Sequence, residues 1–462
     1  MSEQEKSKKI IKAKKSEKSK PKQDQKPDSK QEPKQEKKPK KNQEQKQKQY
    51  LSVALATALV FVGAGIITAI FAIRGQKNSQ QDSEITPTQE LETLETIEPE
   101  TQETTEILDE NALLVEQTLQ NMSLEQKIYQ MFIVTPEGLV DNAVDCATQS
   151  GSMTQEALLE KPVGGIIYFS QNIEDELQVT QMISNAQQYM QDANQVGLWI
   201  AVDEEGGSVA RVADSLGTTV FSDMAVYGEK GDTQEIFQVG QNIAKDISQF
   251  GFNLDFAPVA DVNINSLNEL QERIFSDNAI TVSEMVSSIT QGLQSSGKVS
   301  ATLKHFPGLG AESGNTHNDS FVFIDRSYEE LQKTEFLPFA SGIEAGADFV
   351  MVGHQIVSGA EDKLPSDLSF VVVTEWLRDG LGFDGVVITD AQNMNTISDN
   401  YSSGEAAVLS ISAGVDIVLM PTDLNEAFES VYQAVKNGKI SEERIEQSVR
   451  RILTAKAKHN LL

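Results

Sequence analysis

The sequence predicts an α/β chain: a (β/α)8 TIM barrel forming a single domain over residues 112–462, preceded by a transmembrane helix and a disordered N-terminal tail. Three observations carry that expectation. Eight short apolar runs alternate with helical stretches, ionisable residues follow several of those runs, and one long uncharged segment lies near the N-terminus.

Residues 1–49 hold 18 Lys against 8 acids, with almost no aromatic or branched apolar residues, so they cannot bury a core and read as a solvated cytoplasmic tail. Residues 50–74 contain the run Leu51–Ile73, which carries no charge. At about 1.5 Å per residue such a run makes roughly 34 Å of helix, enough to span a bilayer. A cleaved signal peptide is the competing reading, but its apolar region usually has only about 7 to 15 residues. The lysines flank this segment on its N-terminal side, so the positive-inside rule leaves the tail in the cytoplasm and sends the rest outside. Residues 75–111, with 11 acids and one Lys, read as a self-repelling acidic linker. The expected location is therefore the cell membrane, crossed once, with the barrel extracytoplasmic.

The net charge of −30 is concentrated in the body, which argues against nucleic acid as a partner, because phosphate binding draws on Lys and Arg. Cys146 is the one cysteine, which excludes an internal disulfide framework and a four-thiolate metal site.

In the body, the candidate strands lie at 130–135, 165–170, 198–203, 254–261, 299–304, 349–354, 385–390 and 416–421. Several are apolar on both faces, as buried parallel strands are, and segments such as 174–194 and 282–297 are long enough for crossover helices. A doubly wound open sheet gives the same alternation; eight β-then-α units in about 350 residues favour the barrel. The last segment, 442–461, has the pattern of an amphipathic helix that closes the ring. Trp199, Trp376, Met351, Met394 and Met420 read as packing residues.

A barrel does its chemistry at the C-terminal ends of its strands. There the chain places Asp203, Asp261 with Asn263, Lys304 with His305, His354, and Asp390. One Asp after a strand is usually a turn or a helix cap; five such endings directed at one mouth form a candidate site. A rigid carboxylate at 390 suits nucleophilic attack, and His317, in a loop rich in Gly, Ser, Asn and Thr, suits proton transfer near neutrality. His354 reads as a group supporting the nucleophile or as a packed core residue.

The strings AVDEEGGSVAR at 201–211, KHFPGLG at 304–310 with His317 seven residues on, and GVVITDAQNM at 385–394 resemble the signature blocks of glycoside hydrolase family 3, in its bacterial β-N-acetylglucosaminidase branch. The resemblance covers roughly residues 112–462. It implies a retaining exo-glycosidase that releases terminal β-linked N-acetylhexosamine, commonly from cell-wall (peptidoglycan) fragments, with Asp390 as nucleophile and His317 as general acid/base. It further implies that Asp203, Arg211, Arg273, Lys304 and His305 grip the sugar. The expected partners are an N-acetylglucosaminide substrate and the membrane, with neither cofactor nor metal; the oligomeric state is not legible.

Two positions depart from the family pattern. Asn315 stands where an Asp usually precedes the catalytic His by two residues; an amide can orient the ring but brings no charge to stabilise the imidazolium. A lower acid/base pKa and slower turnover are expected, unless Asp319 substitutes. Leu309 replaces a second His in a backbone-shaping turn. The alternatives are a glycan-binding barrel with lost or weak catalysis, a family 3 β-glucosidase, which usually takes its acid from an added domain, and a metal-dependent amidohydrolase. Four histidines with no His-x-His pair argue against the last.

Overall fold

A computed structural model describes residues 101–462 apart from 313, 317 and 318, with side chains from 110 onward. The tail, the apolar segment 50–74, most of the acidic linker and His317 lie outside the described residues. Among the described residues no helix is long and apolar enough to cross a membrane.

All eight expected runs contain a strand: β1 Phe132–Val134, β2 Gly165–Ile167, β3 Trp199–Val202, β4 Leu254–Asp255, β5 Ser300–Phe306, β6 Phe349–Val352, β7 Val386–Thr389 and β8 Val418–Leu419. They form one parallel sheet in which each strand from β1 to β6 pairs with its successor and β8 pairs with β1 through Phe132↔Val418. A parallel bridge between Ile388 and Ile417 joins β7 to β8, so the sheet curls into a nearly closed barrel. The run 254–261 is not one continuous strand. Pro258 has no N–H to give the ladder, and regular pairing stops after Asp255 before resuming at the Val259↔Lys304 bridge.

A helix of the outer ring follows each strand: α1 Ser152–Glu160, α2 Glu176–Asp192, α3 Thr233–Ser248, α4 Ala279–Gln294, α5 Phe336–Glu344, α6 Val371–Gly380, α7 Ser403–Ala413 and α8 Leu424–Lys436. Their starts follow from the sequence. Asp175 caps α2 and Asp232 caps α3 by accepting backbone N–H groups, and Ser402 with Glu405 makes a capping box on α7. In α3 the buried positions Ile236, Val239, Ile243 and Ile247 recur at three and four residues and face the barrel. Helices α3 and α4 approach closely because Gly240 and Gly292 meet there: a Cβ on Gly292 would lie 2.2 Å from the Phe237 carbonyl oxygen.

A helix, Thr101–Asn121, spans the expected boundary at 111/112. Val115 and Leu119 are buried, and Glu116 pairs with Arg450 at 2.5 Å, on the final helix α9, Glu442–Lys458. Apolar anchoring and an ion pair fix that second half.

Helix α9 seals the bottom of the barrel. Lys456, fully buried, donates to Gln130 Oε1 (2.7 Å), Gly164 O (2.9 Å) and Gly197 O (2.7 Å). Trp199 and Trp376 are buried as expected, Trp199 edge-on to Phe349.

Candidate active site

The chain after β3 turns through a short hairpin, Glu204–Gly206 against Val209–Ala210, that brings Arg211 back beside Asp203. The turn uses Gly206 and Gly207 at φ +85° and +58°; a side chain at Gly207 would also strike Asp223. The acidic triplet then divides its work. Glu204 turns away and accepts the backbone N–H groups of Val212 (2.7 Å) and Ala213 (3.0 Å), capping the helix that begins at Arg211. Burial pushes its carboxyl up to about 7, against those two hydrogen bonds. Asp203 and Glu205 face the mouth.

Glu205 is the hub. Arg273 grips it with two parallel bonds, Nε to Oε2 at 2.8 Å and Nη2 to Oε1 at 2.7 Å, and Lys304 Nζ lies 2.6 Å from Oε1. Lys304 also donates to Asp203 Oδ1 at 2.8 Å. Burial alone would raise the Glu205 pKa, but the two cations hold it far below the ordinary carboxylate range. Lys304 is likewise desolvated, and Asp203 and Glu205 lift its pKa above the ordinary value. The ring nitrogen Nδ1 of His305 sits 2.8 Å from Asp261 Oδ2, whose other oxygen accepts the Leu309 N–H at 2.6 Å. Asp261 thus aims the imidazole and shapes the turn. Leu309, where the family pattern has His, packs with Val259, Leu270 and Ile274.

Asp390 stands at the end of β7. Its N–H donates to Val352 O at 2.8 Å, and its Oδ1 accepts the Ala391 N–H at 2.7 Å. Desolvation opposes its charge, yet His354, His305, the Ala391 N–H and Lys304 together hold its pKa below the ordinary value. His354 is fully buried behind it. The Nε2 of His354 lies 3.0 Å from the Ala391 carbonyl, which can only accept, so Nε2 carries a hydrogen. Its Nδ1 faces Asp367 Oδ1 at 3.1 Å, an ion-pair contact whose angle is off the hydrogen-bond line. Burial works against the imidazolium, but Asp367, Asp390 and the Ala391 carbonyl lift the pKa to about 9. His354 therefore supports the nucleophile candidate rather than serving as plain packing.

Asp203, Arg211, Arg273, Lys304, His305 and Asp390 line one cavity of about 320 Å³ at the C-terminal ends of the strands. The Nε of Arg211 is buried with no hydrogen-bond partner among the described residues. Asn315 is not part of the wall; its backbone N–H donates to Asp319 Oδ2 at 2.7 Å, while its neighbour Thr316 does line the cavity. That contact occupies one oxygen of Asp319, the substitute partner considered for His317. Sequence reasoning assigned no role to Glu205, Glu269, Thr316 or Asp367. Glu205 lay inside a quoted motif; the others follow no strand and carry no local signal. Met351, Met394 and Met420, expected as packing, also form cavity wall. Among the described residues no group of three or more His, Cys, Asp or Glu is arranged to hold a metal ion.

The model of the glycosyl hydrolase family 3 N terminal domain matches residues 123–455. The chain belongs to that family. It is 31% identical over 332 residues to beta-hexosaminidase A of Pseudoalteromonas piscicida, covering 66% of this chain and 54% of that protein. It is 29% identical over 319 residues to a beta-hexosaminidase of Nitrosomonas eutropha, covering 66% and 89%. The chain thus spans about half the length of the first of these relatives. Among solved structures, a family 3 beta-N-acetylglucosaminidase from Paenibacillus sp. str. FPU-7 superposes with a TM-score of 0.69 at 34% identity, over 74% of this chain and 63% of that one. A beta-N-acetylhexosaminidase from Beutenbergia cavernae gives 0.64 at 28% identity, over 73% and 99%. With these family 3 neighbours, the nearly closed parallel sheet is the expected (β/α)8 barrel.

Proposed function

We propose that this family 3 barrel is a retaining exo-β-N-acetylglucosaminidase, tethered to the outer face of a membrane by the segment 50–74. It removes terminal β-linked N-acetylhexosamine from cell-wall fragments or related glycans. The observation that supports this reading most directly is the placement of Asp390 on the wall of the same cavity as Asp203, Arg211, Arg273, Lys304 and His305. Charged side chains around a small mouth satisfy sugar hydroxyls by charge-assisted hydrogen bonds. The Asp390 carboxylate then attacks the anomeric carbon as the bond to the leaving oxygen breaks, forming a glycosyl-enzyme ester. In this reading His317 protonates the leaving oxygen and later takes a proton from the water that opens the ester, one residue serving both half-reactions. Arg273 and Lys304 hold Glu205 in place and Lys304 also holds Asp203, so the grip is preorganised.

The test is hydrolysis of a chromogenic β-N-acetylglucosaminide, with the anomer formed first read by proton NMR. Release of the β-anomer supports the retaining mechanism; an α-anomer overturns it, and no turnover by correctly folded protein favours a glycan-binding barrel instead. The tether has its own test. Protease added to intact cells should remove the barrel and leave the tail protected.

A further inference from the structure

The loop after β4 is stitched to the loop after β5 at Gly310, Glu312 and Thr316. The Asn265 N–H donates to Gly310 O at 2.9 Å, its side-chain amide to Glu312 O at 2.7 Å, and the Glu269 N–H to Glu312 Oε1 at 2.9 Å. Glu269 closes the clasp from the other direction. Its Oε1 accepts the Thr316 hydroxyl at 2.7 Å and the Thr316 backbone N–H at 3.2 Å. The Thr316 carbonyl accepts from Thr396 Oγ1 at 3.0 Å, so all three polar groups of this buried residue have partners.

We infer that Glu269 is a positioning residue: through one carboxylate oxygen it pins Thr316, and with it the backbone of the β5 loop, at the edge of the sugar cavity. The inference rests on the reading above, in which the residue after Thr316 transfers the proton. Its physical basis is independent of that reading. Hydrogen bonds to a charged acceptor are about twice as strong as neutral ones, and a single oxygen here takes two. The segment that carries Glu269 also carries Arg273, four residues on, whose guanidinium holds Glu205 beside Lys304. One stretch of backbone therefore sets both the grip on the ring and the hold on the β5 loop. Misplacing a catalytic group by about 1 Å can cost about a hundredfold in rate.

The experiment compares Glu269→Ala, Glu269→Gln and Thr316→Val in the full chain. An amide oxygen still accepts both Thr316 bonds, so Gln should rescue what Ala loses. Amide hydrogen exchange at Thr316 is expected to rise about tenfold in E269A and to stay within about threefold of wild type in E269Q. On a chromogenic N-acetylglucosaminide, E269A should lower kcat by about 10–100-fold with KM nearly unchanged, and T316V added to E269A should cost little more. Unchanged exchange at Thr316 in E269A overturns the inference, as does a loss confined to KM or full additivity of the two substitutions. If E269A fails to fold, E269Q and T316V decide it by the same readouts. If wild type turns over no N-acetylglucosaminide, the functional reading falls, while the exchange comparison still decides the clasp.

Discussion

At the N-terminal end of the strands, Lys456 is buried with no carboxylate among its hydrogen-bond partners; three neutral oxygens, from Gln130, Gly164 and Gly197, receive its three N–H donors. Close by, Asp416 is surrounded by Arg378, Arg444 and Arg451 and also accepts from the Val387 N–H and the Ser448 hydroxyl. At the C-terminal end, Lys304 is equally buried but sits between two carboxylates, with the Arg211 Nε beside them left without a partner among the described residues. Both ends bury charge. At the floor Lys456 and Asp416 spend their hydrogen bonds within the protein, whereas at the mouth the charged side chains line a cavity. Buried charge by itself thus does not mark a site; buried charge lining a cavity at the C-terminal ends of barrel strands does.

The sharpest way to break this comparison is to remove one group from each end. Asp390→Ala should lower kcat/KM by about four orders of magnitude, since the nucleophile forms the bond, while leaving the midpoint of urea unfolding in place. Lys456→Met should do the reverse. Three carbonyl oxygens lose their donor in a sealed site, at a cost of about 3 kcal/mol or more, with activity per folded molecule preserved. A Lys456→Met protein as stable as wild type, or an Asp390→Ala protein that is destabilised but active, would erase the distinction between the two ends.

A smaller effect tests the layer just beneath the mouth. His354 has its pKa lifted to about 9 chiefly against its own burial, by Asp367. The folded state therefore holds a proton that the unfolded chain gives up near pH 6.5, so this stabilisation is complete below pH 6.5 and is lost as pH rises toward 9. Asp367→Asn should remove it. The stability difference between wild type and D367N is expected to be largest below pH 6.5, up to about 3 kcal/mol, and to shrink by pH 9. A difference constant with pH would show that Asp367 acts only through packing.

What the sequence made legible follows the same division. The eight strands were readable as short apolar runs, several apolar on both faces, and Asp203, Lys304, His305 and Asp390 were readable because they end or follow such runs. The pairings among them were not. Glu205 meets Arg273 across 68 residues and His305 meets Asp261 across 44, pairings that only barrel closure creates. Lys456 carries no signal for a different reason: a lysine on an amphipathic helix is normally solvated, and here the helix end turns it into the barrel floor. Asp367 sits in a single 3-10 turn, Ser366–Leu368, and Glu269 in a loop, where no periodicity announces which way a side chain faces.

The smallest expected effect concerns Asn315, where the family pattern has a carboxylate. Its backbone is already held by Asp319, so an Asp at this position introduces charge near the proton-transfer loop without needing a new turn. An added carboxylate favours the imidazolium of a nearby His, so Asn315→Asp should raise the basic-limb pKa of kcat/KM by about one unit and increase turnover a few-fold. The direction matters more than the size. If Asp slows the enzyme and the basic limb does not move, the charge at this position has no hold on the acid/base, and the Glu269 clasp on Thr316 remains the leading account of how the loop is kept competent.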